Sequence, residues 1–218
     1  MPGLILALAA VGVSSRPALA APVAVAGVPV LETALMQEAA GLHPQALHAA
    51  LASWDTLRAK GEVTSALLSV IDYALPSTAK RMWVFDLTTE RLIYNELVAH
   101  GRNSGDDLAT SFSNADGSYM SSLGAFVTGT AYAGKNGYSL RLRGIESLVN
   151  DRAEARAIVM HGAWYVDEAL ARKQGRIGRS LGCPAVRTEI AHRLIDEIKD
   201  GSVLYAWHPS IGKTADAP

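Results

Sequence analysis

Gly178-Arg179-Ser180-Leu181-Gly182-Cys183-Pro184-Ala185-Val186 holds the only cysteine of the 218-residue chain, and the reading of the fold starts there. A glycine before the sulfur and a proline after it predict a tight turn that presents Cys183. Glycine also permits close backbone approach, which leaves the amides of Gly182 and Cys183 free to bind an oxyanion. A cysteine reacts as its thiolate, so it needs a base or an electropositive setting. Histidine suits that task because it titrates near neutral pH. Upstream, Ala157-Ile158-Val159-Met160 reads as a buried strand that delivers His161-Gly162. Cys183 and His161 are therefore a candidate nucleophile and base. The plainer alternative makes Cys183 a core thiol and His161 a strand-end histidine; the residues alone leave both open.

Working back from that strand, Tyr138-Ser139-Leu140-Arg141-Leu142-Arg143 alternates, with Ser139, Arg141 and Arg143 on one face. Residues 124–130 read as a short strand, and 101–122 as a polar stretch rich in Gly, Ser and Asn. Residues 81–86 and 91–100 predict a hairpin across Thr88-Thr89-Glu90, and residues 67–75 a strand or mixed segment ending at Pro76. Downstream, Thr188 is the expected N-cap of a helix with Ile190, Leu194, Ile195 and Ile198 on its apolar face. Residues 203–207 form a last strand, followed by a polar tail. Near the start, residues 31–40 have helical composition. Pro44 opens a second helix whose Leu47, Ala50, Leu51, Trp54 and Leu57 mark one face, with Gly61 stopping it. His43 and His48 fall there as capping or surface residues, and His192 on the surface of the late helix. The sum is a mostly-β body with an N-terminal helical cap and one late helix.

Residues 1–20 read as a signal peptide. An apolar run at 4–13 precedes Ala18-Leu19-Ala20, which offers small residues for cleavage after Ala20, although Met1-Pro2-Gly3 lacks the usual basic residues. Ser14, Ser15, Arg16 and Pro17 interrupt the run before it could span a bilayer, and nothing later in the chain could span one. Export to the periplasm or medium is expected. The divisions that follow are 21–65 for linker and cap, 66–210 for the catalytic body and 211–218 for the tail. A net charge of −1 gives no basis for a nucleic-acid partner. No HExxH pattern occurs and Cys183 has no Cys or His at ligand spacing, so no metal and no cofactor are expected.

These stretches resemble the catalytic domain of the murein L,D-transpeptidases, the YkuD-like fold. The resemblance rests on His161-Gly162 followed by Ser180-Leu181-Gly182-Cys183, with Ser121-Ser122-Leu123-Gly124-Ala125-Phe126 before them. It is closest to a variant branch, through Val98-Ala99-His100-Gly101-Arg102, residues 134–142 and residues 178–186, and it spans about 66–208. The main branch carries His where this chain has Leu181 and Arg where it has Ala185. Whether Arg187 stands in for that Arg is left open.

The resemblance implies a β-sandwich or barrel-like catalytic domain that acts on peptidoglycan stem peptides through a Cys183 thioester. It releases D-Ala and passes the acyl group to an acceptor amine. His161 is the implied base, with a carbonyl at or near Gly162 orienting its ring. Ser180, Arg179, Arg141, Arg143, Tyr138 and His100 are substrate-groove candidates, each with an ordinary packing or surface role as its alternative. A monomer is expected. A carboxypeptidase, a crosslink-cleaving peptidase and a non-catalytic peptidoglycan-binding protein are the competing functions.

Overall fold

The computed structural model describes residues 28–212. Helices α1 (Val28–Glu38) and α2 (Pro44–Ala59) come first. Strands β1 (Leu67–Asp72), β2 (Met82–Asp86), β3 (Arg91–Glu96), β4 (Val98–Ala99), β5 (Gly124–Gly134), β6 (Gly137–Gly144) and β7 (Val159–Gly162) follow. The chain then runs through α3 (Glu168–Gln174), β8 (Ala185–Val186), α4 (Thr188–Ile198) and β9 (Val203–Trp207). The expected signal peptide with its cleavage site, most of the linker and the end of the tail lie outside the described residues.

All nine strands belong to one sheet, ordered β3-β2-β1-β9-β5-β6-β7-β8-β4. Its outermost strands, β3 and β4, are consecutive in sequence and joined by Leu97 alone. A single residue can bridge the two edges only if the sheet curls until they nearly meet, so the sheet is barrel-like and almost closed. The expected β fold is present. The expected hairpin is present as β2 and β3, paired antiparallel, but its second arm, read as 91–100, divides at Leu97 into β3 and β4 at opposite edges of the sheet.

Both faces of the central strands are buried, which is why they read as near-continuous apolar runs. On one face, Leu68, Val70, Trp83, Phe85, Val203 and Tyr205 pack against Leu47, Leu51, Trp54 and Leu57 of α2 and Leu31 and Leu35 of α1. On the other, Ile71, Met82, Phe126, Leu142 and Leu204 enclose Ile190, Leu194, Ile195 and Ile198 of α4. Each such aliphatic side chain removed from water contributes roughly 1.5–3 kcal/mol before entropy is counted. The first turn of α2 has no cap from its own His43 side chain. Asp72, at the end of β1, supplies the acceptor, taking the His43 backbone N–H at 3.1 Å and lying 2.7 Å from its Nδ1. Helix and sheet are thereby tied at one point.

Several boundaries differ from the sequence reading. Helix α1 begins at Val28, inside the expected linker. Strand β5 runs on to Gly134 because a register shift between Thr128 and Ala131 lets pairing with β6 resume. Thr188 is the first helical residue of α4, and Arg187 occupies the N-cap with no side-chain cap. Ile211, read as tail, still packs against the core.

Candidate active site

Cys183 owes its position to a failure of strand register. Strand β8 pairs antiparallel with β4, Ala185 opposite Ala99. Strict continuation would set Gly101 opposite Cys183, but Gly101 instead forms a parallel bridge with Ser180, outside the antiparallel ladder. The surplus residues of 181–184 leave the ladder as a loop anchored at both ends. Ser180 N–H donates to the His100 carbonyl at 2.9 Å, and Arg102 N–H to the Ser180 carbonyl at 2.8 Å. Inside the loop the Ser180 hydroxyl donates to the Cys183 carbonyl at 2.6 Å and accepts the Gly182 N–H at 3.1 Å. Gly182 has φ of +121°, a conformation that disfavours a side chain. A Cβ there would also sit 2.8 Å from the Met120 carbonyl.

His161 lies within β7 rather than just after it, opposite Ala185 on one side and Ser139 on the other. Its Nδ1 is 2.9 Å from the Gly162 carbonyl. A carbonyl only accepts, so Nδ1 carries a proton, and Nε2 is the nitrogen that would bear the lone pair of a basic ring. Gly162 is required because α4 packs tightly there: a Cβ would come 2.9 Å from that of Ala191.

Cys183 and His161 line one open cavity of about 520 Å³. Cys183 is 8% exposed. Its sulfur accepts the Val159 N–H at 3.5 Å and donates to the Ala157 carbonyl at 3.8 Å, so these bonds run to the approach of β7 and not to the imidazole. Ala157 holds φ of +53°, an uncommon conformation for a residue with a side chain. Burial pushes the Cys183 thiol above its ordinary pKa, opposed by the Val159 N–H and by the charges of Arg156 and Lys135. The resting group is a neutral thiol.

Ser180 and Arg179 also line this cavity. Nη1 of Arg179 donates to the carbonyls of Gly105 (2.7 Å) and Arg102 (3.2 Å). The other expected groove residues lie elsewhere. Arg141 stacks on Tyr132, its guanidinium 4.4 Å from the ring centre. Arg143 pairs with Glu62 at 2.8 Å. Tyr138 donates to Asp196 at 2.6 Å and stacks on His192. His100 is wholly buried and meets Arg81 at 2.7 Å. Arg187 is held by Glu96 through two bonds of 2.9 and 2.7 Å and does not line the cavity. The expected pair of oxyanion donors is reduced too, since the Gly182 N–H is taken by Ser180. The other expected donor, the Cys183 N–H, lies against its own sulfur.

The sequence reading passed over Asp116, Tyr119, Lys135, Arg156 and Tyr165, which line the same cavity. They come from the turns at 113–122, 134–137, 151–157 and after β7, and carry no periodic signal. Burial raises the Tyr165 hydroxyl to about 12, with the sulfur adding to the rise.

The L,D-transpeptidase catalytic domain family (YkuD_2) matches residues 38–207, which carries the likeness N-terminally past the expected start at 66 and through α2. No curated protein matches the chain. Among solved structures, it is similar to the K307A mutant of the helical cell shape determining protein Pgp2 from Campylobacter jejuni. That likeness has TM-score 0.39 and 11% identity, over 65% of this chain and 43% of that one. It is also similar to L,D-transpeptidase 1 of Mycobacterium tuberculosis, with TM-score 0.36 and 11% identity, over 66% of this chain and 73% of that one. The chain thus spans less than half the length of the Pgp2 chain.

Proposed function

The chain belongs to the L,D-transpeptidase catalytic domain family, and we propose from this that it is a cysteine acyltransferase of peptidoglycan stem peptides. The observation that carries the reading is Cys183 and His161 on one cavity, with the His161 ring fixed through Nδ1 by the Gly162 carbonyl. Nε2 of His161 takes the thiol proton as the sulfur attacks the donor amide carbonyl, between the L-centre of a diamino acid and a terminal D-Ala. Negative charge on the carbonyl oxygen is met by the Cys183 N–H; a comparable donor contributes about 3 kcal/mol. The C–N bond breaks, the imidazolium returns its proton to the departing amine, and D-Ala leaves a thioester on Cys183. An acceptor amine on a second stem peptide then displaces the sulfur and forms the crosslink.

Such a substrate lies outside the cytoplasm, which accords with residues 1–20 acting as an export signal. No described helix is long and apolar enough to cross a membrane. The test is incubation of the protein, freed of residues 1–20, with purified tetrapeptide muropeptides, followed by mass spectrometry. The expected result is an acyl adduct on Cys183, free D-Ala and crosslinked dimer, all lost in Cys183→Ala. Tripeptide in place of dimer would identify water as the acceptor. Turnover by Cys183→Ala equal to wild type would refute the assignment.

A further inference from the structure

Arg156 sits in the turn before β7 and lines the Cys183 cavity. Its Nη1 donates to the Ser113 carbonyl (2.7 Å) and the Ser122 hydroxyl (2.5 Å). Its Nη2 donates to the Ser118 hydroxyl (3.1 Å) and the Met120 carbonyl (2.7 Å). Two N–H groups on each terminal nitrogen account for all four bonds. This has two consequences. The fork has no terminal donor left for a substrate carboxylate. All four acceptors are also neutral; the anion that acts on Arg156 is exposed Asp116 of the same strap, with which it forms no hydrogen bond.

The acceptors belong to one strap, residues 113–122, which carries Asp116, Gly117 and Tyr119 to the cavity wall. The strap also bears on the nucleophile loop. Ser121 donates to the Gly182 carbonyl at 3.2 Å, and the Met120 carbonyl lies where a Cβ on Gly182 would collide. Nη2 of Arg156 is itself 3.5 Å from that Cβ position. The guanidinium is therefore packed against the backbone that presents the sulfur. Half-buried, it is screened by water less than a surface cation is.

We propose that Arg156 is a positioning residue of the Cys183 site, latching the 113–122 strap as its wall and supplying the fixed positive charge that favours the thiolate. The proposal deepens the reading of Cys183 as a nucleophile and rests on it only for its purpose, not for its test. The other charged or titratable groups facing the site are Lys135 from the β5–β6 turn, exposed Asp116 and Tyr119 from the strap, Arg179 from the nucleophile segment, His161 from β7, Tyr165 just after it and buried Tyr73 just after β1. Among the cations, Arg156 is the one hydrogen-bonded to the strap four times over.

Because Cys183 is the only cysteine, its alkylation by iodoacetamide reports one thiol without ambiguity. The rate is measured from pH 6 to 10 for wild type, Arg156→Gln, Arg156→Lys and Ser122→Ala, with amide exchange of residues 113–122 measured alongside. Arg156→Gln is expected to move the alkylation midpoint up by about one pH unit, an approximately tenfold lower rate below the midpoint. Arg156→Lys keeps the charge and loses the fork, so the midpoint stays near wild type while exchange in the strap rises. Ser122→Ala raises exchange without moving the midpoint.

An unchanged midpoint in folded Arg156→Gln overturns the charge role, and unchanged strap exchange in both Arg156 variants overturns the latch. Should Arg156→Gln not fold, the other two variants decide. A midpoint displaced equally in Arg156→Lys and Ser122→Ala would make the shift a consequence of loosening and refute the charge role. Alkylation needs no substrate, so failed muropeptide turnover with the expected midpoint shift would refute the proposed reaction and leave Arg156 in place.

Discussion

Acidification should unfold this protein through His100. Its side chain is wholly buried and its Nδ1 lies 2.7 Å from Nη2 of Arg81. A guanidinium only donates, so Nδ1 accepts and the imidazole is neutral. A proton on that nitrogen would remove the bond and set a second cation against Arg81. Burial, and after it the charge of Arg81, push the His100 pKa from 6.5 down to about 4. Between those values the unfolded chain holds a proton that the folded chain does not. The contribution is therefore complete above about pH 6.5 and is lost progressively as the pH falls toward 4, reaching about 3 kcal/mol. That is a large part of the roughly 5–15 kcal/mol that holds a typical domain together. The assay is urea unfolding at pH 7.5, 6, 5 and 4 for wild type and His100→Asn, whose amide oxygen still accepts from Arg81 but does not titrate. Carboxylates common to both proteins cancel in the difference. Wild type should lose about 3 kcal/mol more than the variant over this range. Parallel stability curves would refute the reasoning. Because the His100 carbonyl accepts from Ser180, alkylation of Cys183 should become less uniform as the loss sets in.

Gly182→Ala must place a side chain at φ of +121° and against the Met120 carbonyl. It should lower stability by about 1–3 kcal/mol in thermal or urea unfolding, and an unchanged midpoint would mean that the loop adapts freely. Arg187→Ala breaks both bonds to the nearly buried Glu96. It should cost about 2 kcal/mol and leave the pH profile of Cys183 alkylation where it was. A shifted profile would show that the Arg187 charge acts at the sulfur after all.

The parts legible in the sequence were those with a local cause. The alternation at Tyr138-Ser139-Leu140-Arg141-Leu142-Arg143 lies within β6, and the apolar positions of the late helix are the buried face of α4. Helix α3 went unread although its signal was local. Asp167 accepts the Leu170 N–H at 2.8 Å, and Gly175 closes the helix at φ of +70°. Its seven residues bury only Ala171, so there was no periodic face to find. The neighbouring strands β4 and β8 have two residues each, too short for any pattern. In the site, Cys183 and His161 stood out by residue type beside glycine, while Gly162 and Ser180 entered through the family resemblance. Arg156 did not stand out, because its four partners are backbone carbonyls and hydroxyls some 34 to 43 residues earlier. Arg141 and Arg143 were drawn to the groove by alternation alone. Alternation fixes a face of the strand, and Tyr132 and Glu62 occupy that face first.

The helical cap can now be given a mechanical role. None of the cavity-lining residues comes from α1 or α2. The cap braces the sheet edge on which closure depends. Glu38, at the end of α1, accepts the Leu92 N–H at 2.7 Å and pairs with Arg91 at 2.7 Å, both on β3. One residue beyond β3 the chain becomes β4, the strand that anchors the nucleophile loop at Ala185 and, through His100 and Gly101, at Ser180. Strand β7, which carries His161, pairs with that same Ala185. Cap, β3, β4 and the Cys183 loop therefore form one continuous mechanical path, in which Leu97 is the only residue between the two edges of the sheet. That path joins the cap to the strands that hold Cys183 and His161 without any cap residue lining their cavity.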